Sequence, residues 1–311
     1  MHLDSKIYVA GHNGMLGSAI VRELTSKGYH NLLVRTHAEL DLTNQRATRK
    51  FFAKEKPDIV FLAAALVGGI NANIKYPAQF LQENLNIQNN VIEYSYKYGC
   101  KKFCFIGSSC IYPRNCEQPM REDKILSGPL EPTNEGYALA KICGIKLIEY
   151  YHKQYGFNGI NIIPCNLYGT NDSYNIENSH VLSALIKRFV DCVDNNVNSI
   201  TLWGSGKARR EFMHVDDAAS AIVFLMENDH SPQIINIGWG NDISIKDLAV
   251  LIAEMTGFKG KITWDKSKPD GMPRKCMDVS KMINLGFNPK ITIKEGIIKS
   301  ITEYKKLKAL M

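Results

Sequence analysis

The feature that most constrains this chain lies near its start. Ile7-Tyr-Val-Ala10 is a strand-length apolar run, and it meets Gly11-His-Asn-Gly-Met-Leu-Gly17. Gly14–Lys27 then carries Met15, Leu16, Ala19, Ile20 and Leu24 at helical spacing, and Gly28 follows as a stop. A lone glycine pattern is weak. Between a strand and a helix it gains a physical purpose. Glycine permits the tight turn, and a pyrophosphate can then approach the free N–H groups of the helix N-terminus. Gly11, His12, Asn13, Gly14, Met15, Leu16 and Gly17 are therefore candidate contacts of a dinucleotide.

The rest of the first half keeps alternating. Strands are predicted over Asn31–Arg35, Asp58–Ala63, Lys102–Ile106 and Gly159–Cys165. Helices are predicted over Gln45–Glu55, Gln79–Tyr98 and Tyr137–Tyr155. This order implies an α/β fold, a Rossmann-type doubly wound parallel sheet with helices on both faces. The second half is less regular. Asn171–Asn178 reads as a loop, and Ser179–Val193, Asp216–Glu227 and Ser244–Thr256 read as helices. Ile200–Trp203 and Ile234–Ile237 read as strands. With 311 residues the chain suits two closely joined domains. The division expected is 1–167 for the cofactor, with returns from about 212–240, and 168–311 mostly for a smaller mixed α/β substrate domain.

Arg35 ends the second predicted strand, roughly 20 residues past the glycines. An acidic residue there would bind ribose hydroxyls, whereas a guanidinium suits a 2′-phosphate. This favours NADP(H). Asp41 suits an adenine contact or a cap for the next helix. Tyr137 and Lys141 fall at i and i+4 of one helix, and an ammonium beside a phenol favours the phenolate. Ser108 follows the Lys102–Ile106 strand, where ligands of such sheets lie, and can hydrogen-bond a substrate carbonyl.

Composition narrows the partners. The net charge is +7, from 38 Lys+Arg against 31 Asp+Glu, and it is dispersed rather than gathered into a basic run. Nucleic-acid binding is not implied, and an anionic small molecule is well suited. The longest apolar run, Ile59–Val67, is too short to span a bilayer. The first residues lack an apolar signal core, so a cytoplasmic location is expected. Eight cysteines include no Cys-x-x-Cys and no zinc-like spacing, which reads as reduced, buried thiols and no metal.

Longer motifs add specificity. They include Ala64-Ala-Leu-Val-Gly-Gly-Ile-Asn-Ala-Asn73, Gly107-Ser-Ser-Cys-Ile-Tyr-Pro113, Glu131-Pro-Thr-Asn-Glu-Gly-Tyr137 and Asn178-Ser-His180. Trp203-Gly-Ser-Gly206, Arg210-Glu-Phe-Met-His-Val-Asp-Asp217 and Ser267-Lys-Pro-Asp-Gly271 follow. On these the chain resembles the extended short-chain dehydrogenase/reductases over nearly its whole length. Within that family it is similar to the epimerase/reductases of GDP-linked 4-keto-6-deoxy sugars. The resemblance implies NADPH as cofactor and conversion of GDP-4-keto-6-deoxymannose to GDP-L-fucose. It implies Ser108, Tyr137 and Lys141 as the reductase triad, and Cys110 and His180 as the acid/base pair of a 3,5-epimerisation. The C4 ketone acidifies C3 and C5, and thiol and imidazole ionise near enough to neutrality to trade protons. The same resemblance places Leu42, Ala63, Ala64, Ala65, Pro164, Asn166, Leu167 and His180 at the cofactor, with Tyr137 and Lys141. It places Ser109, Val181, Lys187, Trp203, Arg210 and Lys268 at the nucleotide sugar, with Ser108, Cys110 and Asn166. For Lys187 and Lys268 a solvated surface charge is the competing reading.

Three departures stand out. Asn13 stands where the family commonly has arginine, Gly136 replaces a common proline, and Thr170–Glu177 has its own sequence. The first leaves Arg35 and its neighbours to hold a 2′-phosphate, and the second predicts a looser helix entry. The third leaves open a related substrate such as a GDP-4-keto-6-deoxyheptose, reduced with or without epimerisation. A related NAD-dependent epimerase or dehydratase is disfavoured by Arg35 and Asn178-Ser-His180. A non-catalytic nucleotide sensor is disfavoured by Ser108, Tyr137 and Lys141. The two long helices Gln79–Tyr98 and Tyr137–Tyr155 have widely spread apolar residues, which predicts a four-helix homodimer interface.

Overall fold

Six parallel strands organise the chain, in the order β2-β1-β3-β4-β5-β9. The computed structural model describes residues 1–175, 179–228, 234–268 and 270–310. In chain order the first part comprises β1 (Ile7–Ala10), α1 (Met15–Ser26), β2 (Leu32–Leu33), α2 (Gln45–Glu55) and β3 (Ile59–Leu62). It continues with α3 (Ile70–Lys75), α4 (Pro77–Lys97), β4 (Lys102–Ile106), α5 (Glu135–Tyr155) and β5 (Gly159–Pro164). Strands β1, β3, β4 and β5 are buried along their whole length, which is why they read as continuous apolar runs. Lys102 satisfies its ammonium at the Asn228 carbonyl, 3.0 Å away. The chain moves from β1 out to β2 and then back to β3. That reversal opens a crevice beyond the C-terminal ends of β1 and β3.

The second part comprises β6 (Asn166–Tyr168), α6 (Val181–Asp194), β7 (Ser199–Trp203), β8 (Arg209–His214), α7 (Val215–Glu227) and β9 (Ile234–Ile237). It ends with β10 (Asp242–Ser244), α8 (Ile245–Thr256), β11 (Lys261–Asp265), β12 (Arg274–Lys275), α9 (Ser280–Asn284) and α10 (Ile293–Ala309). Helix α7 and strand β9 return to the large sheet, α7 packing on α1. The other elements enclose a separate core, in which Leu185, Phe189, Leu248, Ile252, Ile297 and Ile301 of α6, α8 and α10 meet. Strands β6, β10 and β12 gather around β8, and β11 pairs with β7.

The differences from expectation have local causes. Strand β2 stops at Leu33 rather than Arg35, because the Glu39 carboxylate accepts the Thr36 N–H at 2.7 Å and turns the backbone away. Helix α3 was not anticipated from Gly68 and Gly69; Asn73 holds both their carbonyls, at 2.9 and 3.0 Å. Gly136 has a packing role at the entry to α5. A Cβ there would lie 2.7 Å from the Pro77 carbonyl oxygen, so glycine lets α4 and α5 close on each other. All eight cysteines are free, but they are not uniformly buried: Cys143 is exposed on α5. No described helix is long and apolar enough to cross a membrane. Of the expected loop and motifs, residues 176–178 and Pro269 lie outside the described residues.

Candidate active site

The glycine turn closes tightly around the end of β1. Gly11 has φ +85°, and a Cβ on it would lie 2.7 Å from the Ala64 nitrogen. A Cβ on Gly17 would lie 2.0 Å from the Gly11 carbonyl oxygen. Helix α1 can therefore start against the sheet only without those side chains. Its N-cap is Gly14, no side chain caps it, and its first turn carries no acidic group. The helix terminus thus presents uncapped N–H groups and its positive dipole end, as a phosphate requires. His12 adds a buried Nδ1 with no hydrogen-bond partner. Ala63, Ala64 and Ala65 follow β3 beside this turn, half-buried. These residues fit a dinucleotide.

Arg35 sits in the turn after β2. One Nη donates to the Val34 carbonyl at 2.7 Å and the other lies 3.5 Å from the Glu55 carboxylate. The guanidinium stands 5.7 Å over the Phe51 ring. A loose ion pair and a ring face leave it a charge to offer an incoming phosphate. Asp41 does not cap the next helix. Asn44 does, and Asp41 instead accepts from the Thr43 N–H and hydroxyl, at 2.9 and 2.7 Å. Those bonds lower the Asp41 pKa, the Thr43 hydroxyl foremost. Leu42 is buried beneath this turn.

Ser108, Tyr137 and Lys141 converge at the end of β4. Ser108 begins a short 3-10 turn over Ser109–Ile111, its hydroxyl accepting the Cys110 N–H at 3.3 Å. It also lies close enough to the Tyr137 phenol to lower its pKa. Lys141 is buried one turn along α5. Its Nζ donates to the Ile106 carbonyl at 2.9 Å and lies 5.7 Å from the Tyr137 ring centroid. Burial pushes this ammonium down to about 8. The phenol departs from expectation. Burial first, and then charge at Cys110, raise its pKa, while Ser108 lowers it. Desolvation prevails. A phenol so placed keeps its proton at neutral pH, which is the state a proton donor needs.

Cys110 faces the same space. Its sulfur accepts from Asn134 Nδ2 at 3.0 Å and from Lys275 Nζ at 3.6 Å. Arg210 is close enough for its guanidinium to feel the Cys110 charge, and it donates to the Asp270 carbonyl at 3.2 Å. Strand β12 pairs Lys275 with Arg210 of β8, so the two cations arrive together. Pro164 is buried at the end of β5. Asn166 and Leu167, on β6, are half-buried, and Asn166 Nδ2 donates to the Glu211 carbonyl at 2.8 Å. His180 is exposed at the N-cap of α6 without capping it, and its nearby charge partner is Asp172. No hydrogen bond or ion pair joins His180 to Cys110 among the described residues.

The remaining residues divide. Trp203, at the end of β7, is exposed, and Lys268 stands 5.6 Å over its ring. An indole with a cation above it suits a base and its phosphates. Val181 is exposed beside His180. Lys187 is neither a free surface charge nor an open contact. It donates to Asp191 at 3.1 Å and to the Tyr304 hydroxyl at 2.9 Å, tying α6 to α10. Sequence reasoning gave no role to Asn134, Lys275 or Asp270. Asn134 lay inside a quoted motif, and only the fold could point it at Cys110. The Asp270 carboxylate accepts the Ser205 N–H at 2.7 Å, which holds the turn after Trp203.

Comparison with known proteins follows the same lines. The chain is 53% identical over 301 residues to a putative GDP-L-fucose synthase 2 of Arabidopsis thaliana, covering 97% of this chain and 92% of that protein. It superposes with TM-score 0.92 on a GDP-6-OMe-4-keto-L-xylo-heptose reductase from C. jejuni, at 38% identity and 99% coverage of both chains. It superposes with TM-score 0.90 on a GDP-L-fucose synthetase from Naegleria fowleri bound to NADP, at 27% identity, covering 99% of this chain and 96% of that one. The model of the NAD dependent epimerase/dehydratase family matches residues 7–238. That stretch opens on the first residue of β1 and closes just past β9, so the whole six-stranded sheet lies within it. The chain belongs to the NAD dependent epimerase/dehydratase family.

Proposed function

We propose that this chain is an NADPH-dependent epimerase/reductase that converts GDP-4-keto-6-deoxymannose to GDP-L-fucose. The observation that carries the reading is a thiol, Cys110, set beside the Ser108, Tyr137 and Lys141 cluster and backed by two hydrogen-bond donors. A reductase alone needs the phenol and the serine. A thiol in the same space suits proton exchange at a carbon next to the ketone. The near full-length likeness to GDP-L-fucose synthases supports the same activity.

In this reading residues 1–167, with returns from about 212–240, hold the cofactor, and 168–311 mostly hold the nucleotide sugar. The uncapped start of α1 receives the pyrophosphate, and Arg35 meets the 2′-phosphate. Asp41, Leu42, Ala63, Ala64, Ala65, Pro164, Asn166 and Leu167 line the cofactor's course. NADPH, when bound, supplies hydride for C4. Cys110 removes the ring protons and His180 returns protons on the opposite face. Ser108 hydrogen-bonds the ketone oxygen, and Tyr137 gives that oxygen its proton. Lys141 supplies positive charge beneath the phenol as it ionises. Trp203, Lys268 and Arg210 bind the GDP, with Val181 and Ser109 at the sugar. Lys187 reaches the substrate only by sharing or leaving Asp191 and Tyr304. The protein acts in the cytoplasm as a homodimer through α4 and α5, where Leu139 and Tyr150 of α5 are exposed. Light scattering giving a monomer mass would remove the dimer.

The test is product analysis in deuterated water with GDP-4-keto-6-deoxymannose and NADPH. GDP-fucose carrying deuterium at C3 and C5 is expected. A reduced sugar without deuterium would overturn the epimerase half. The second reading, a GDP-4-keto-6-deoxyheptose reductase, is favoured by the likeness to the C. jejuni heptose enzyme. Turnover of the heptose and not the hexose would select it. Tyr137→Phe should abolish reduction while NADPH binding survives; full turnover in that variant would remove the proposed acid.

A further inference from the structure

Asn134 ends a short 3-10 turn, Pro132–Asn134, and stands at the N-cap of α5. Asparagine is among the best residues for that position, because its side-chain oxygen accepts an N–H from the first helical turn. Asn134 does not do this. Its side chain makes no bond to the helix it precedes. Instead Nδ2 donates to the Cys110 sulfur at 3.0 Å, and Oδ1 is buried without a partner. An amide beside a thiol can serve both of its states. The N–H donates to a thiolate and, with the amide turned over, the carbonyl accepts from S–H. Lys275 offers only donors, and from 3.6 Å it adds positive charge to the thiolate alone.

We propose that Asn134 is a positioning residue that holds the Cys110 sulfur for proton abstraction, with Lys275 as the countercharge of the thiolate. The proposal rests on the reading of Cys110 as the base. Asn134 lies three residues before Tyr137, at the terminus of the same helix. It therefore fixes the sulfur in one frame with the phenol. A sugar whose ketone oxygen meets Tyr137 then presents the adjoining carbon to Cys110. This coupling explains why a capping residue is turned away from its helix.

The experiment compares wild type with Asn134→Ala, Asn134→Ser, Lys275→Met and Cys110→Ser. Solvent deuterium uptake into GDP-4-keto-6-deoxymannose is followed without NADPH, so hydride transfer makes no contribution. The rate at which iodoacetamide labels Cys110 is followed by peptide mass at one fixed pH. Asn134→Ala should slow deuterium uptake by roughly ten- to a hundredfold, the scale of a misplaced reacting group. It should leave NADPH affinity unchanged. Asn134→Ser supplies a hydroxyl able to cap α5 but too short to reach the sulfur, so it should not rescue. Lys275→Met, which removes the ammonium 3.6 Å from the sulfur, should slow both uptake and labelling, and wild-type rates in it would remove the countercharge. Rescue by Asn134→Ser, or uptake and labelling at the wild-type rate in Asn134→Ala, would overturn the proposal. Normal uptake in Cys110→Ser would instead remove the base itself. Loss of uptake there, with both Asn134 variants unaffected, would sink the positioning role alone.

Discussion

Replacing Glu211 with Gln should remove a specific part of the protein's pH-dependent stability. Glu211 lies in β8 beside Arg210 and is 1% exposed. Its Oε1 accepts the Gly240 N–H and its Oε2 the Met277 N–H, both at 2.7 Å. One carboxyl thus fastens the turn after β9 and the segment after β12, which carries Lys275. Two effects oppose each other here. Backbone N–H groups favour the carboxylate, and burial disfavours its charge. Burial prevails and pushes the pKa up to about 7, with the neighbouring Asp242 adding to the rise. Against the ordinary 4.5, at 1.36 kcal/mol per unit, the difference amounts to about 3 kcal/mol. The sign follows from the protons. Between those pH values the folded chain keeps a proton that the unfolded chain has released. The stabilisation is whole below about pH 4.5 and is lost as the pH rises through about 7. Glutamine is neutral and similar in shape, so its variant lacks this slope. Urea unfolding of both proteins from about pH 4.5 to 8 gives the difference directly. Wild type minus variant should fall by about 3 kcal/mol across that range. Burial lowers the His214 pKa and gives a slope of opposite sign, but it is common to both proteins and cancels. A flat difference, or one that rises with pH, refutes the reasoning and means that the N–H donors outweigh burial.

Three further outcomes follow from the same geometry. Gly17→Ala places a methyl 2.0 Å from the Gly11 carbonyl oxygen, a backbone atom that cannot step aside; it should cost about 1–3 kcal/mol and abolish the thermal shift that NADPH produces. Lys141→Met removes an ammonium that burial pushes down to about 8 from 10.5, worth up to about 3 kcal/mol below pH 8, offset by about 1 for the lost bond to Ile106. The variant should therefore melt higher than wild type at neutral pH while turnover collapses, and a lower melting temperature would count against the desolvation argument. Trp203→Ala should raise the KM for a GDP-sugar roughly 5- to 150-fold, the range of a lost base stack, and leave the NADPH Kd unchanged; equal weakening of both ligands would mean a folding defect.

Legibility in the sequence tracked how local the cause was. The glycine turn, β1, α1 and α2 declared themselves because period, caps and glycines all lie within a few residues of one another. Helix α10 carried an equally local signal. Thr292 and Glu295 form a reciprocal capping box, a Thr-x-x-Glu that pattern reading passed over. Strand β8 and its short partners were hidden for a different reason. Arg209-Arg-Glu-Phe-Met-His214 mixes charges with apolar groups, because Glu211 faces buried N–H donors rather than water. No propensity scale credits a buried carboxylate that a turn and a loop elsewhere in the chain will satisfy. The site repeats the contrast. Tyr137 and Lys141 were readable from one turn of helix, but the direction of the phenol's pKa was not. That direction depends on how deeply α5 buries the pair, and burial is a property of packing, not of spacing. Asn134 and Lys275 lie 24 and 165 residues from Cys110 in the chain, and a helix entry and a two-residue strand bring them to one sulfur. A sequence states which groups are available. The register of β12 on β8 sets Lys275 beside Arg210 and so brings its ammonium to the thiol, which no local pattern in the chain announces.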